Sequence, residues 1–146
     1  MSQRAVFIAA SVYLVLGLAG GVYFREMTKG TPFESGEGTQ LAVLHTHLLT
    51  LGFLAMLIVL VLDKVYRLGH SRFFAWFFWV YNAGLVLTVA IMTVHGTMQV
   101  LGVPASAAIA GIAGLGHITL GAGLVLLLFA INDGLRGRTA PATTTD

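Results

Sequence analysis

The chain has 146 residues, of which 57% are hydrophobic and only 10% are charged. Because an average soluble domain is about 25% charged, this composition excludes a water-soluble globular protein, and the lack of cysteine excludes disulfides, thiolate metal ligands and iron–sulfur clusters. The net charge of +2 needs no nucleic acid partner to explain it, since basic residues that flank membrane spans are ordinary topology signals.

Four apolar stretches, each long enough to cross a bilayer, follow one another along the chain. They are Ala5–Phe24, Leu41–Leu62, about Phe73–Val100 and about Pro104–Ile131. A helix needs about 20 apolar residues to cross the hydrocarbon core, and all the charged residues lie outside these stretches. The sequence therefore predicts four transmembrane helices. The first stretch exceeds the apolar core of a signal peptide, which has about 7–15 residues, so we expect it to be retained.

The connecting segments are short, which favours an all-α, up-down-up-down four-helix bundle. Residues 25–40 form a polar loop with several glycines, residues 64–72 form a short basic loop, and residues 101–103 form a tight turn. We expect one membrane domain over residues 1–137 and a disordered tail, rich in Thr and Ala, over residues 138–146.

The basic residues are distributed unequally between the two sides of the predicted bundle. The N-terminus, the second loop and the C-terminus carry most of them, whereas the first loop carries only Arg25 and Lys29 beside its glutamates. Under the positive-inside rule both termini are cytoplasmic, and a bacterial inner membrane is the expected location. Tyr66, Trp76 and Trp79 fit an aromatic belt at the inner interface.

Four of the five histidines lie in or at the edge of the predicted spans: His45, His47, His95 and His117. The fifth, His70, lies in the basic loop. Ionisable groups inside a membrane are costly, so they usually face a cavity, a partner or a bound group. A hydrogen bond to a neighbouring helix is the simplest role for any one of them, but four in the outer half of one small bundle indicate a functional site.

Depth and direction separate these histidines. His47 and His117 each lie 15 residues from the inner end of their span, so both are about 22 Å above the inner boundary. His45 and His47 are about 200° apart around one helix and cannot share a face. On span four, Gly114 and Gly121 lie in a stripe of small residues with His117, which would leave room for a flat cofactor.

Two imidazoles at one depth in an apolar bundle favour haem b with bis-histidine ligation by His47 and His117. Gly114 and Gly121 would lie against the porphyrin, and His45 and His95 would support the site. Electron transfer, haem handling and gas sensing are the expected roles. A copper or zinc site at the outer face, with His45, His95 and Met98, is one alternative.

A second alternative is a cofactor-free accessory subunit of a larger membrane complex. The bilayer is the expected surrounding in every case, and a homodimer would also be compatible with the small residues on span four. The sequence contains no hydrolase triad, no phosphate-binding loop and no paired carboxylates within a span, so it gives no positive indication of an enzyme.

Several longer runs carry a resemblance to a known family. They are the segment 40–52 around His45 and His47, the segment 76–82, Val94-His95-Gly96 with Gln99, and 114–117 with His117. Together they resemble a bacterial family of small four-span membrane proteins that is catalogued as a domain of unknown function. The resemblance extends from Tyr13 to Phe129. It implies the membrane fold and no activity.

A shorter similarity, about a dozen residues long, is to haem-ligating segments of the haem-copper oxidase catalytic-subunit superfamily. In that superfamily a histidine at the outer end of an early span holds a low-spin haem. The similarity implies His47 or His45 as a haem ligand. The chain is too short for the oxidase's twelve spans and lacks the covalent His-Tyr copper motif, so oxygen reduction to water is not implied.

Overall fold

The protein was analysed as a computed structural model, which describes residues 2–139 and the side chains of residues 2–136. Four long helices account for nearly all of this part of the chain: α1 (Gln3–Thr28), α2 (Leu41–Tyr66), α3 (Arg72–Val100) and α4 (Ala107–Thr139). Each is long and apolar enough to cross a membrane. The prediction of an all-α, four-span bundle is confirmed, and the chain is a multi-pass membrane protein.

α1, α2 and α3 extend beyond the apolar stretches that predicted them, and α4 does so at its C-terminal end. The prediction that the fourth span begins at about Pro104 is wrong, because residues 103–106 are not helical and α4 begins at Ala107. Hydropathy marks only the part of a helix inside hydrocarbon, whereas the backbone hydrogen bonds continue into the interface until a capping residue ends them. α1 begins after Ser2, whose hydroxyl accepts the Ala5 N–H, and α3 begins after Ser71, whose hydroxyl accepts the Phe73 N–H. The predicted tail lies outside the described residues, except that residues 138 and 139 still belong to α4.

α2 and α3 lie at the centre of the bundle, with α1 packed mainly on α2 and α4 packed mainly on α3. Glycines allow both of these close contacts. A Cβ atom at Gly52 would lie within 3 Å of the Tyr13 ring on α1, and one at Gly123 would lie 2.8 Å from the Tyr81 Cα on α3. Small residues that let two backbones approach are the usual means of joining helices inside a membrane.

The two ends of the bundle differ in chemistry. At one end, here called the basic end, the N-terminus, the loop of residues 67–71 and the last turns of α4 meet, and the Ser71 hydroxyl donates to Asp133 across 2.8 Å. At the opposite end, the Thr39 hydroxyl donates to the Gly96 carbonyl and the Gln40 N–H donates to the Gln99 side chain. The four candidate histidines lie towards the opposite end.

Candidate functional site

His47 and His117 share one hydrogen-bonding arrangement. His47 Nδ1 lies 2.9 Å from the Val43 carbonyl oxygen, and His117 Nδ1 lies 2.8 Å from the Ala113 carbonyl oxygen. A carbonyl oxygen can only accept, so Nδ1 must carry the proton in both rings when they are neutral. Each Nε2 is then an unprotonated nitrogen with a lone pair. This is the form of imidazole that binds a metal while its other nitrogen is fixed by a carbonyl.

His45 and His47 point to different neighbours. His45 lies against α1, where a Cβ atom at Gly21 would be 3.8 Å from the His45 Cβ. Its Nδ1 is buried and has no hydrogen-bond partner among the described residues. Because two residues turn a helix through about 200°, His47 faces away from α1. The divergence of the two rings stays a prediction from helical spacing. His47 is half-buried, and Val43, one turn before it on the same face of α2, is 46% exposed.

An unusual helical segment follows directly after His47. Residues Leu48–Leu54 wind as a π-helix, in which hydrogen bonds join residues five apart and the side-chain phase changes along the helix. The Tyr81 hydroxyl donates to the Leu51 carbonyl across 2.8 Å, and the Tyr13 ring packs on Gly52. The segment separates His47 from the α-helical second half of α2, Ala55–Tyr66. π-helical turns of this kind are frequent at functional sites.

Sequence reasoning did not predict the π-helix or the tyrosines that contact it. The Tyr13 hydroxyl donates to the Asn82 side-chain oxygen across 2.6 Å, so one polar contact links α1 to α3 at this level. The available signal was the presence of two tyrosines and an asparagine in the middle of apolar spans. Polar groups at such positions need partners, because hydrocarbon offers none.

His117 and its small neighbours lie on an open face of α4. The helix packs on α3 through Gly116, where a Cβ atom would lie 2.6 Å from the Thr88 hydroxyl oxygen, and through Gly123. In contrast, a Cβ atom at Gly114 or Gly121 would have nothing within 4 Å. His117 is itself exposed. The stripe predicted to leave room for a cofactor is therefore not occupied by another helix of the described chain.

The matched depth of the two histidines can be measured from a contact at the basic end. Gly134 of α4 packs on Tyr66 of α2. His47 precedes Tyr66 by 19 residues and His117 precedes Gly134 by 17 residues, which correspond to about 28 Å and about 26 Å along the helices. α2 contacts α4 through its second half, Ala55–Tyr66, while its first half packs on α1 and α3. At the depth of the histidines, α2 and α4 are therefore not packed together.

His95 and His70 have separate surroundings. His95 is half-buried near the end of α3, next to Gly96, which packs on the backbone of Leu41. His70 is exposed in the loop at the basic end. Within the described residues, no three side chains of His, Asp or Glu converge on one point. The alternative copper or zinc site would thus have to rely on two histidines, His45 and His95, with Met98 as the soft ligand.

A comparison with known protein families identifies the family of this chain. The family described as Protein of unknown function (DUF2871) matches residues 3–134. The chain belongs to this family. The match covers α1 to α3, most of α4 and both candidate ligands, which agrees with the family resemblance of the sequence runs described above. No curated protein and no solved structure matches the chain.

Proposed function

We propose that the protein binds haem b with His47 and His117 as axial ligands and serves in electron transfer. The single observation that carries this proposal is the arrangement shared by the two imidazoles. Each has Nδ1–H bonded to its own helix, which leaves Nε2 free for iron. Such a hydrogen bond fixes the tautomer and the ring orientation of a metal-binding histidine.

The surroundings of the two rings fit a porphyrin. Nothing described lies within 4 Å of a Cβ atom at Gly114 or Gly121, so a flat group could lie against this part of α4. A porphyrin held by both rings would lie between α2 and α4, which do not pack against each other at this depth. His45, on the side of α2 that faces α1, and His95, on α3, would support the site rather than bind iron.

Within this proposal the chain's own residues bind and orient the cofactor. Haem supplies a one-electron couple, and its potential depends on the axial ligands and on burial. Val43 and Ala113 would hold the rings through their carbonyl groups, which strengthens the basicity of each Nε2. His47 and His117 would both be strong ligands of the iron. Electron transfer is therefore favoured over haem handling and gas sensing, since sensing requires an open or readily opened iron position.

The exposure of α4 favours one further role, that of a subunit in an assembly. Only 17% of its apolar window is buried in the chain, against 39% for α3. An imidazole that faces lipid alone is costly, so a cofactor, a second copy or a larger membrane complex would cover His117. The distribution of basic residues supports a bacterial inner membrane with the basic end in the cytoplasm.

Separate replacement of the two proposed ligands tests the haem assignment. Full-length protein is expressed with ample haem as wild type, His47→Ala, His117→Ala and the control His70→Ala, which changes a histidine at the basic end. A hydrogen bond between helices is worth about 0.6 kcal/mol, so its loss would leave a folded protein with an unchanged spectrum. Loss of an axial ligand abolishes or strongly alters the Soret band. If both variants keep the wild-type spectrum, the assignment fails.

A further inference from the structure

Two adjoining cavities open at the basic end, between the loop that follows α2 and the last turns of α4. Their volumes are about 660 Å³ and about 510 Å³. Lys64, Arg67 and His70 line both cavities, and Gln3 at the start of α1 borders the smaller one. Three nitrogen-bearing side chains therefore converge on a space large enough for a phosphate-sized group.

The backbone at Arg67 is unusual for its residue type. Arg67 ends α2 in the left-handed conformation, with φ 55° and ψ 45°, and its N–H donates to the Asp63 carbonyl across 2.8 Å. It is the one described residue other than glycine with a positive φ, whereas four glycines adopt such angles. Glycine would occupy this position without strain. Arginine at this position places a guanidinium group at the edge of both cavities.

The cationic side chains at the cavities are only partly offset by carboxylates. Among the described residues no carboxylate lies within ion-pair distance of Lys64 or Arg67. The nearby carboxylates accept other hydrogen bonds, because Asp63 Oδ1 takes the Gly69 N–H and Asp133 Oδ2 takes the Ser71 hydroxyl. Asp133 lines the larger cavity and Asp63 the smaller one, so each cavity carries two cationic side chains, Lys64 and Arg67, against one carboxylate.

The level of the cavities corresponds to the membrane interface. Trp76 and Trp79 lie in the first turns of α3, directly after the loop, and expose 64% and 67% of their surface. Outward-facing tryptophans mark the headgroup level of a bilayer. Residues 67–71 precede them and therefore lie among the lipid headgroups, where phosphate is abundant.

We propose that these cavities bind the phosphate of an anionic lipid headgroup. Arg67 would hold the phosphate through two parallel N–H groups, Lys64 would add a second positive charge, and His70 would donate one hydrogen bond. Basic pockets between helices on the cytoplasmic side are suited to such headgroups. The inference is independent of the haem proposal, because none of these residues lies in the half of the bundle that holds the candidate ligands.

The proposal is tested by counting the lipids that the full-length protein retains. The protein is placed in nanodiscs of phosphatidylcholine with a minor fraction of phosphatidylglycerol and released for native mass spectrometry. We expect the wild type to retain phosphatidylglycerol selectively, and Arg67→Gly or Lys64→Gln to lower this retention about fivefold each. Because Arg67→Gly relieves the backbone strain, misfolding would not explain its loss of lipid.

Arg72→Gln is the matched control. It removes the same charge at the same end, but the Arg72 guanidinium lies 5.0 Å from the Phe73 ring centroid and does not line either cavity. Unchanged retention in both cavity variants, or an equal loss in Arg72→Gln, would overturn the proposal. Inorganic phosphate forms the second arm. If it displaces the lipid and binds the detergent-solubilised protein in an Arg67-dependent way, the ligand is a soluble phosphate compound and the lipid assignment is wrong.

Discussion

α4 carries two lines of glycines that serve opposite purposes. Gly116 and Gly123 face α3, where added side chains would collide with Thr88 and Tyr81. Gly114 and Gly121 face open space beside His117. Gly116 and Gly123 let the backbones of α3 and α4 approach closely. Gly114 and Gly121 leave the surface of α4 beside His117 uncovered. The same residue type therefore indicates helix packing on one face and room for a ligand on the other, and only the direction of each face distinguishes them.

The largest effect on stability is expected from a substitution at Gly123, on the face of α4 that packs on α3. Gly123→Leu would place a side chain where the Tyr81 backbone lies and would force α3 and α4 apart. Overpacking a filled interface costs about 1–3 kcal/mol and occasionally more. We expect a clearly lower thermal unfolding midpoint in detergent, measured by circular dichroism. A midpoint equal to that of the wild type would show that α3 and α4 do not pack through this glycine.

The matched substitution at Gly121, on the open face of α4, should lower haem content and leave the stability of the fold unchanged. Gly121→Leu improves helix propensity and has nothing within 4 Å to displace, so the unfolding midpoint should stay near that of the wild type. The same side chain would occupy the space that we assign to the porphyrin, so haem content should fall sharply. A stable variant with normal haem content would place Gly121 against lipid or another helix.

The tyrosine that contacts the π-helix should give a smaller effect. Tyr81→Phe removes the hydrogen bond to the Leu51 carbonyl and keeps the ring, at a cost of about 0.6 kcal/mol. If this contact maintains the π-helix, and the π-helix orients His47, the haem spectrum or its midpoint potential should shift while haem is retained. Spectroelectrochemistry measures both quantities. A lower stability with an unchanged spectrum and potential would show that the π-helix does not orient His47 at the haem site.

The smallest effect is expected from His95→Ala. His95 lies near the end of α3 and is assigned a supporting role, for example towards a haem propionate. We expect the variant to retain haem with a small shift in the absorption maximum or potential. Complete loss of haem would make His95 a ligand and would require a new assignment for His47 or His117.

The sequence predicted the four helices because a backbone in hydrocarbon must satisfy its hydrogen bonds within each segment. Long apolar stretches such as Leu41–Leu62 leave no other solution. The directions of side chains were harder to predict, because they depend on how helices dock. Helical spacing separates Gly121, which shares a stripe with His117, from Gly123, but nothing in the sequence shows which of the two faces packs on α3.

Two further features depend on tertiary contacts. The π-helix is contacted by Tyr81 and Tyr13, both of which come from other helices. The left-handed Arg67 could not be predicted because that conformation is typical of glycine. Depth, in contrast, could be counted along the sequence, and the contact between Tyr66 and Gly134 gives nearly equal heights for His47 and His117.

The most direct test of the account is the spectrum of the wild-type, full-length protein after loading with haem b. Visible absorption and electron paramagnetic resonance together report the number and kind of axial ligands, and a haem assay gives the amount bound per chain. We predict one haem per chain and a low-spin iron with two imidazole ligands. A colourless protein in the presence of ample haem, or a bound haem with a high-spin iron, would contradict the assignment of His47 and His117.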